Sequence, residues 1–230
     1  MQLTQRNIDI LKIIVDEYLA TGQVLGSKLL LKKYDLGVSP ATVRNDMATL
    51  EKLELLYQPY NSAGRLPTSK GLRVFVNFLM ESTPEHFLQE KNVTNQNDFI
   101  KLGDYIHNIS KELSKNTNEI AFFNIPNRHI SEFSGVSSFL EKNHKIIGDD
   151  IFNIIKMLED KFNFLSFIEK FPLNNGVNVF IGDENFLPFL KDYTIIIKKI
   201  IVDGEIGYIG IIGGLKMNYS FNISAVRGIL

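Results

Sequence analysis

Apolar residues recur every three or four positions from the start of the chain, and residues 3–21 read as a helix with Ile8, Leu11, Val15, Tyr18 and Leu19 on its buried side. Thr4 stands where an N-cap belongs, and Gly22 where a helix closes. Val24-Leu25-Gly26 is a short connector, and Ser27 is placed to cap a brief second helix, SKLLLKKY. Asp35-Leu36-Gly37 reads as a turn with Gly37 suited to left-handed backbone, and Val38 as a plug in the core. From residue 39 the period is helical again. Ser39 caps, Pro40 takes the first helical position, and Val43, Met47, Leu50 and Leu53 form a core-facing stripe on a helix expected to run to Leu56. The opposite side carries Ala41, Asn45, Ala48, Thr49 and Lys52, with Thr42 and Arg44 on its flanks.

Leu55-Leu56-Tyr57-Gln58 carries a strand signal, and the polar turn PYNSAGRL after it holds a lone Arg65 beside Gly64. Pro67 ends the turn, and Thr68 caps a further helix with Leu72, Phe75, Val76 and Leu79 inside. Helix, short helix, tight turn and capped helix is the helix-turn-helix order, and a hairpin after the last helix makes it winged. The outer face of the third helix suits a major groove: small residues allow close approach, while amide, hydroxyl and cationic groups read base edges. An ordinary surface helix with a solvated loop arginine is the alternative, and the agreement of every local signal across the unit favours DNA. The expected interface is Ser39, Ala41, Thr42, Arg44, Asn45, Thr49, Lys52 and Arg65. Arg44 and Asn45 are expected to read bases, Ser39 and Thr42 to hold phosphate, and Arg65, at a loop tip, to reach the minor groove or a phosphate beside it.

The helical pattern stops near Ser82-Thr83-Pro84, which divides the chain into 1–83 and 84–230. Residues 86–115 read mostly helical around a polar run at 91–97, with Ile100, Leu102, Tyr105, Ile106, Ile109 and Leu113 buried. IAFFNIP at 120–126 is a strand signal, residues 149–162 a helix with Ile151, Ile154, Ile155 and Leu158 inside, and 177–181 another strand. Two long β-branched runs, 193–202 and 206–212, flank Asp203-Gly204, a hairpin signal, and residues 219–230 read as a closing helix. The expectation for 84–230 is an α+β domain with a predominantly antiparallel sheet.

Composition narrows the function classes. The formal net charge is −1, too little for a nonspecific nucleic-acid coat. Residues 1–83 carry ten Lys and Arg against eight Asp and Glu, and the remainder fifteen against eighteen. One module near +2 contacts too few phosphates for tight repression, so a homodimer on an inverted-repeat operator is expected, the second contact becoming intramolecular. The chain has no cysteine, which excludes disulfides and thiolate zinc sites. The absence of a signal peptide or a membrane-length apolar run leads to a cytoplasmic expectation. An enzyme is not expected. His86, His107, His129 and His144 lie far apart, Asp149-Asp150 and Asp183-Glu184 read as caps and turns, and Gly204, Gly207, Gly210, Gly213 and Gly214 sit around a strand rather than between strand and helix. No cofactor or metal is expected.

The stretches LTQRNIDILKIIVDEYLATGQVLGSKLL, SPATVRNDMATLEKLELLYQP, NSAGRLPTSKGLRVFV, SGVSSFLEKN, GVNVFIGDEN and GYIGIIGGLKMNY resemble the heat-inducible transcription repressors of the HrcA type, which control bacterial chaperone operons. The resemblance implies a GAF-like fold for 84–230 and control through the chaperonin, which keeps the repressor folded until heat-damaged proteins compete for it. The runs FFNI, YTIIIKKIIV and YIGIIGG would give a chaperonin something to bind if exposed, and are also what any buried sheet looks like. The chain departs from the family where members usually carry an inserted dimerisation segment: only PNRHISEF lies between Ile125 and Ser134. It also has Gly214 and Lys216 where proline and arginine are commoner, and its last helix is short. The alternative within regulation is a small-molecule sensor whose GAF-like pocket is lined by Phe180, Phe186 and Phe189.

Overall fold

The computed structural model describes residues 3–82, 96–142 and 148–229. The expectations at Thr83-Pro84, His86, the polar run before Gln96 and His144 lie outside them. The chain divides into two compact units, Met1–Thr83 and Pro84–Leu230, each considered by itself.

In the first unit, α1 (Gln5–Thr21) begins with a reciprocal cap. The Asn7 N–H donates to Thr4 Oγ1 (3.2 Å) and the Thr4 N–H to Asn7 Oδ1 (3.1 Å), so two otherwise orphaned donors are satisfied. Gly22, at φ 72°, closes the helix with its N–H on the Tyr18 carbonyl. The fully buried positions are Ile10, Leu11, Ile14 and Val15. Ile8, Tyr18 and Leu19 are only half-buried, because helices and strand pack on α1 from more than one side and turn its deepest line away from the simple stripe.

The second helix, α2 (Ser27–Lys33), starts without a side-chain cap. Ser27 lies inside it and is buried, and Gly26 holds the cap position, so the expected Ser27 cap is corrected. In α3 (Pro40–Lys52), Ser39 Oγ accepts from the Thr42 N–H at 3.2 Å, as a capping serine should. The helix stops at Lys52 rather than Leu56. Glu54 turns the chain with φ 61°, which sends Leu55 and Leu56 into the core and starts β1 (Leu56–Tyr57). β1 pairs antiparallel with β2 (Leu66–Pro67). The Thr68 hydroxyl then accepts from the Gly71 N–H and donates to the Glu54 carbonyl, seating the start of α4 (Ser69–Ser82) against that turn.

The second unit is α+β. Its described elements are α5 (Gln96–Thr117), β3 (Ile120–Ile125), β4 (Ile130–Ser134), α6 (Val136–Lys142), α7 (Asp149–Glu159), α8 (Lys161–Ile168), β5 (Val177–Ile181), β6 (Tyr193–Val202), β7 (Glu205–Gly214) and α9 (Tyr219–Arg227). The strands make one antiparallel sheet in the order β4-β3-β7-β6-β5. Ile120, Phe122, Ile195, Ile197 and Ile212 face a core shared with Phe139 of α6, Ile151, Ile154 and Leu158 of α7, and Phe164, Phe167 and Ile168 of α8. Ala121, Phe123 and Ile125 are equally buried on the opposite face, where α5 lies against β3 and β4, and α9 against β5, β6 and β7. A sheet covered on both faces needs apolar residues at nearly every central position, which is why the long runs show no alternation.

Several expectations change here. The helix read at 149–162 is two, because Asp160 (φ −86°, ψ 84°) leaves helical backbone and its carboxylate caps α8 through the Asn163 N–H. The closing helix ends at Arg227. Strand β4 and helix α6 went unread, and ISEFS fills the stretch after Ile125 as an edge strand reached through a 3-10 turn at Pro126–Arg128. The Asp203-Gly204 hairpin is present, with both residues at positive φ, the backbone that a two-residue primed turn requires. Gly210 is demanded by packing: a Cβ there would stand 2.6 Å from the Phe122 ring and 2.3 Å from the Ile196 carbonyl oxygen.

One buried carboxylate stands out. Glu119, between α5 and β3, is 1% exposed. Its Oε1 meets Lys142 Nζ at 2.7 Å and its Oε2 has no hydrogen-bond partner. Burial pushes its pKa up from 4.5 to about 7, with Lys142 pulling the other way. Between those two values the folded state binds more protons than the unfolded chain, so this group's contribution to stability falls as pH rises from about 4.5 to about 7 and is flat outside that window. The melting temperature of wild type relative to that of Glu119→Gln, measured across this range, should therefore fall as pH rises. A difference that does not change with pH would overturn the assignment.

Candidate nucleic-acid interface

The rotation of α3 about its own axis is set by a carboxylate on its inner side. Asp46 is buried and accepts from Arg6 Nε (2.6 Å), Arg6 Nη2 (3.3 Å) and Asn7 Nδ2 (3.0 Å), all from the first turn of α1. With Val43, Met47 and Leu50 also buried, the opposite face is left to solvent. Ala41, Arg44, Asn45 and Lys52 are exposed on it, and Ser39 is exposed at its N-terminus. Thr42 and Thr49 are half-buried and locally engaged, Thr42 Oγ1 with Ser39 Oγ at 3.0 Å and Thr49 Oγ1 with the Asn45 carbonyl at 3.1 Å. Seven of the eight residues singled out from sequence thus lie on one helix or at its cap, and four of them point freely outward from the helix proper.

Arg65 is placed differently. Its backbone pairs with Leu25 in the connector before α2, N–H to carbonyl at 3.0 Å one way and 3.3 Å the other. Its guanidinium bonds Glu51 of α3, Nη2 at 2.9 Å and Nε at 3.1 Å, and its side chain is only 15% exposed. The loop-tip reading of Arg65 is therefore corrected: it fastens the β1–β2 loop to both α3 and the connector. The exposed tip is Tyr60, Asn61 and Ser62, with Ser62 at φ 66°. Gln58 Nε2 donates to the Ala63 carbonyl at 3.0 Å and braces the loop from within. Gly64 permits the arrangement, since a Cβ there would lie 2.4 Å from the Leu25 carbonyl carbon. Sequence inspection missed the Glu51–Arg65 pair because its members lie fourteen residues apart on different elements.

Between α2, α3 and this loop runs a groove of about 560 Å³. Lys28, Leu29, Arg44, Gln58, Ser62 and Arg65 line it. Of these, Lys28, Leu29, Gln58 and Ser62 carried no assignment from sequence. The only faint signal was Lys28 in the first turn of the second helix.

Elsewhere the candidate chemistry resolves into structure. Phe180 and Phe186 pack on Phe171, with ring centres 4.3 and 5.2 Å away, and Phe189 packs on the same core. Glu184 accepts from the Ile181 N–H, Asp149 and Asp150 open α7, and His107 pairs with Glu132. No cluster of three or more His, Asp or Glu able to hold a metal ion occurs among the described residues, and no described helix is long and apolar enough to cross a membrane.

These features define an α+β protein with a separate N-terminal helical unit that presents one polar helix face. Residues 63–223 match the family model described as "HrcA protein C terminal domain", well over half of the chain, and the chain belongs to the HrcA family. It is similar to the heat-inducible transcription repressor HrcA of Clostridioides difficile (strain 630), 43% identical over 122 residues, covering 51% of this chain and 35% of that protein. It is also similar to the repressor of the same name from Thermomicrobium roseum, 53% identical over 83 residues, covering 36% and 24%. The matched stretch thus spans about a third or less of these relatives. A solved structure described as "Crystal structure of a hypothetical protein at 2.2 A resolution" matches with a TM-score of 0.76 over 97% of this chain and 94% of that one, at 18% identity, a likeness of fold alone.

Replacing Asp46 by Ala leaves Asn7 Nδ2 buried without its acceptor, a loss of about 1–3 kcal/mol. Hydrogen exchange should show amide protection in α1 and α3 falling by that amount while β6 and β7 are unchanged. Unchanged protection in α1 and α3 would remove Asp46 from its role.

Proposed function

We propose that the chain is a sequence-specific DNA-binding transcription repressor. In this reading Met1–Thr83 is a winged helix-turn-helix, α3 is its recognition helix and the β1–β2 loop its wing. The observation that carries it is the outward row Ala41, Arg44, Asn45 and Lys52 on a helix whose rotation Asp46 holds. Ala41 lets the helix approach closely. The Asn45 amide is suited to the paired donor and acceptor of an adenine edge, and Arg44 and Lys52 flank it with positive charge. Ser39 and Thr42 stand at the helix start beside the sugar–phosphate backbone, and Thr49 supports the row through its bond to the Asn45 carbonyl. The relatives' description as heat-inducible transcription repressors supports the same reading.

The second unit is, on this proposal, a GAF-like regulatory and dimerisation domain. Two modules on an inverted-repeat operator supply the contacts that one lacks. Release of chaperone operons on heating results from loss of the active fold that chaperonin maintains in the cytoplasm. The small-molecule alternative gains no support from Phe180, Phe186 and Phe189, which pack on their neighbours.

Footprinting of chaperone-operon promoters tests the reading directly: protection of an inverted repeat is expected, and no protection of any such promoter rejects it. Within that experiment, Asn45→Ala should cost about 1–3 kcal/mol at the cognate site and little on random duplex. Equal loss on both would make Asn45 a backbone anchor instead of a base reader.

A further inference from the structure

We propose that the groove between α2, α3 and the β1–β2 loop seats the phosphodiester backbone of one DNA strand, with Lys28 and Arg44 as its charged donors and Arg65 as a fixed wall. This rests on the proposed DNA-binding function and names a contact which that function leaves open.

The groove's chemistry matches a chain of alternating phosphate and sugar. Three cations line it, Lys28, Arg44 and Arg65, and no carboxylate does. Lys28 and Arg44 are exposed and form no ion pair among the described residues, so both are available to an incoming anion. Arg65 spends its guanidinium on Glu51 and the Ala63 carbonyl, which holds the far wall in place. Leu29, 44% exposed on a helix whose other leucine side chains are better covered, gives the groove an apolar surface that a deoxyribose can cover.

The groove is also built before any ligand arrives. The Leu25–Arg65 bridge joins the connector to the loop, Glu51–Arg65 joins the loop to α3, and Gln58 braces the loop internally. A wall that needs no rearrangement gives up less entropy on binding. The groove adjoins the exposed row of α3 through Arg44, which belongs to both. A strand lying in it would fix the register in which α3 meets the bases, as backbone contacts do in general.

The test uses the full chain, an operator duplex and a random duplex, with affinities measured across a salt series. Lys28→Ala should weaken binding to both duplexes by the same factor and lower the salt slope by about one unit, and Arg44→Ala should do likewise, which replaces the base-reading role expected of Arg44 from sequence with a backbone one. Lys32→Ala, on the same helix but outside the groove, should change neither, and serves as the control for bulk charge. If wild type binds the operator and Lys28→Ala matches it in affinity and slope, the groove assignment is overturned while the DNA reading stands. A Lys28→Ala loss confined to the operator would make Lys28 a base reader and overturn the assignment too. Inorganic phosphate should compete no better than chloride at equal ionic strength; strong competition would make the groove a small-anion site. Wild type that binds neither duplex fails the DNA reading and the groove with it.

Discussion

A single buried carboxylate, Asp46, decides how the N-terminal unit presents itself. It sits among apolar neighbours on the inner side of α3 and takes three donors from the first turn of α1. A hydrogen bond to a charged group contributes about 1.5–3 kcal/mol, more than an exposed ion pair such as Lys70–Glu54, whose kind contributes about 0–1. Rotating α3 by even part of a turn would strand Asp46 and the Asn7 amide without partners. The outward direction of Arg44 and Asn45 is therefore a consequence of an inward bond, not of anything on the outer face.

The β1–β2 loop obeys the same logic one layer out. Arg65 pairs with Glu51, which belongs to the helix that Asp46 has already oriented, and its backbone pairs with Leu25. Helix, loop and connector are thus held in one frame, and the groove they enclose has walls from three separate stretches of chain. A site of this kind is defined by its supports. Its lining residues become a set only after those supports have placed them.

In the second unit the governing constraint is the sheet's two covered faces. Polar groups inside it need local answers, and most have one. Lys198, buried on β6, donates to the Arg227 and Ile229 carbonyls and so satisfies the end of α9. Arg128 joins Asp203 and Glu205, tying the 3-10 turn after β3 to the β6–β7 hairpin. Asn185 donates to the Leu190 and Tyr193 carbonyls and closes the loop before β6. Glu119 is answered on one side alone: one carboxylate oxygen meets Lys142, and the other, without a hydrogen-bond partner, lies where a Cβ on Gly213 would stand 2.5 Å from it.

The sequence by itself determined the features whose forces act over a few residues. Thr4 and Ser39 cap their helices, Gly22 and Gly37 take left-handed backbone, Asp203-Gly204 turns a hairpin, and the β-branched runs are strands. Each depends on one hydrogen bond, one dihedral preference or a run of β-branched residues, and so can be seen in the local string. The outward face of α3 was legible for the same reason, since 3.6 residues per turn fixes which positions share a side. Tertiary structure decided what depends on partners far away in the chain. Ser27 had the chemistry of a cap but was buried inside α2. ISEFS carried no strand pattern of its own, and is a strand because β3 offers it an edge. Arg65 could not be assigned without Glu51, nor the groove without α2, α3 and the loop together. In each case the deciding contact joins residues that the local pattern does not relate, and only folding brings them within reach.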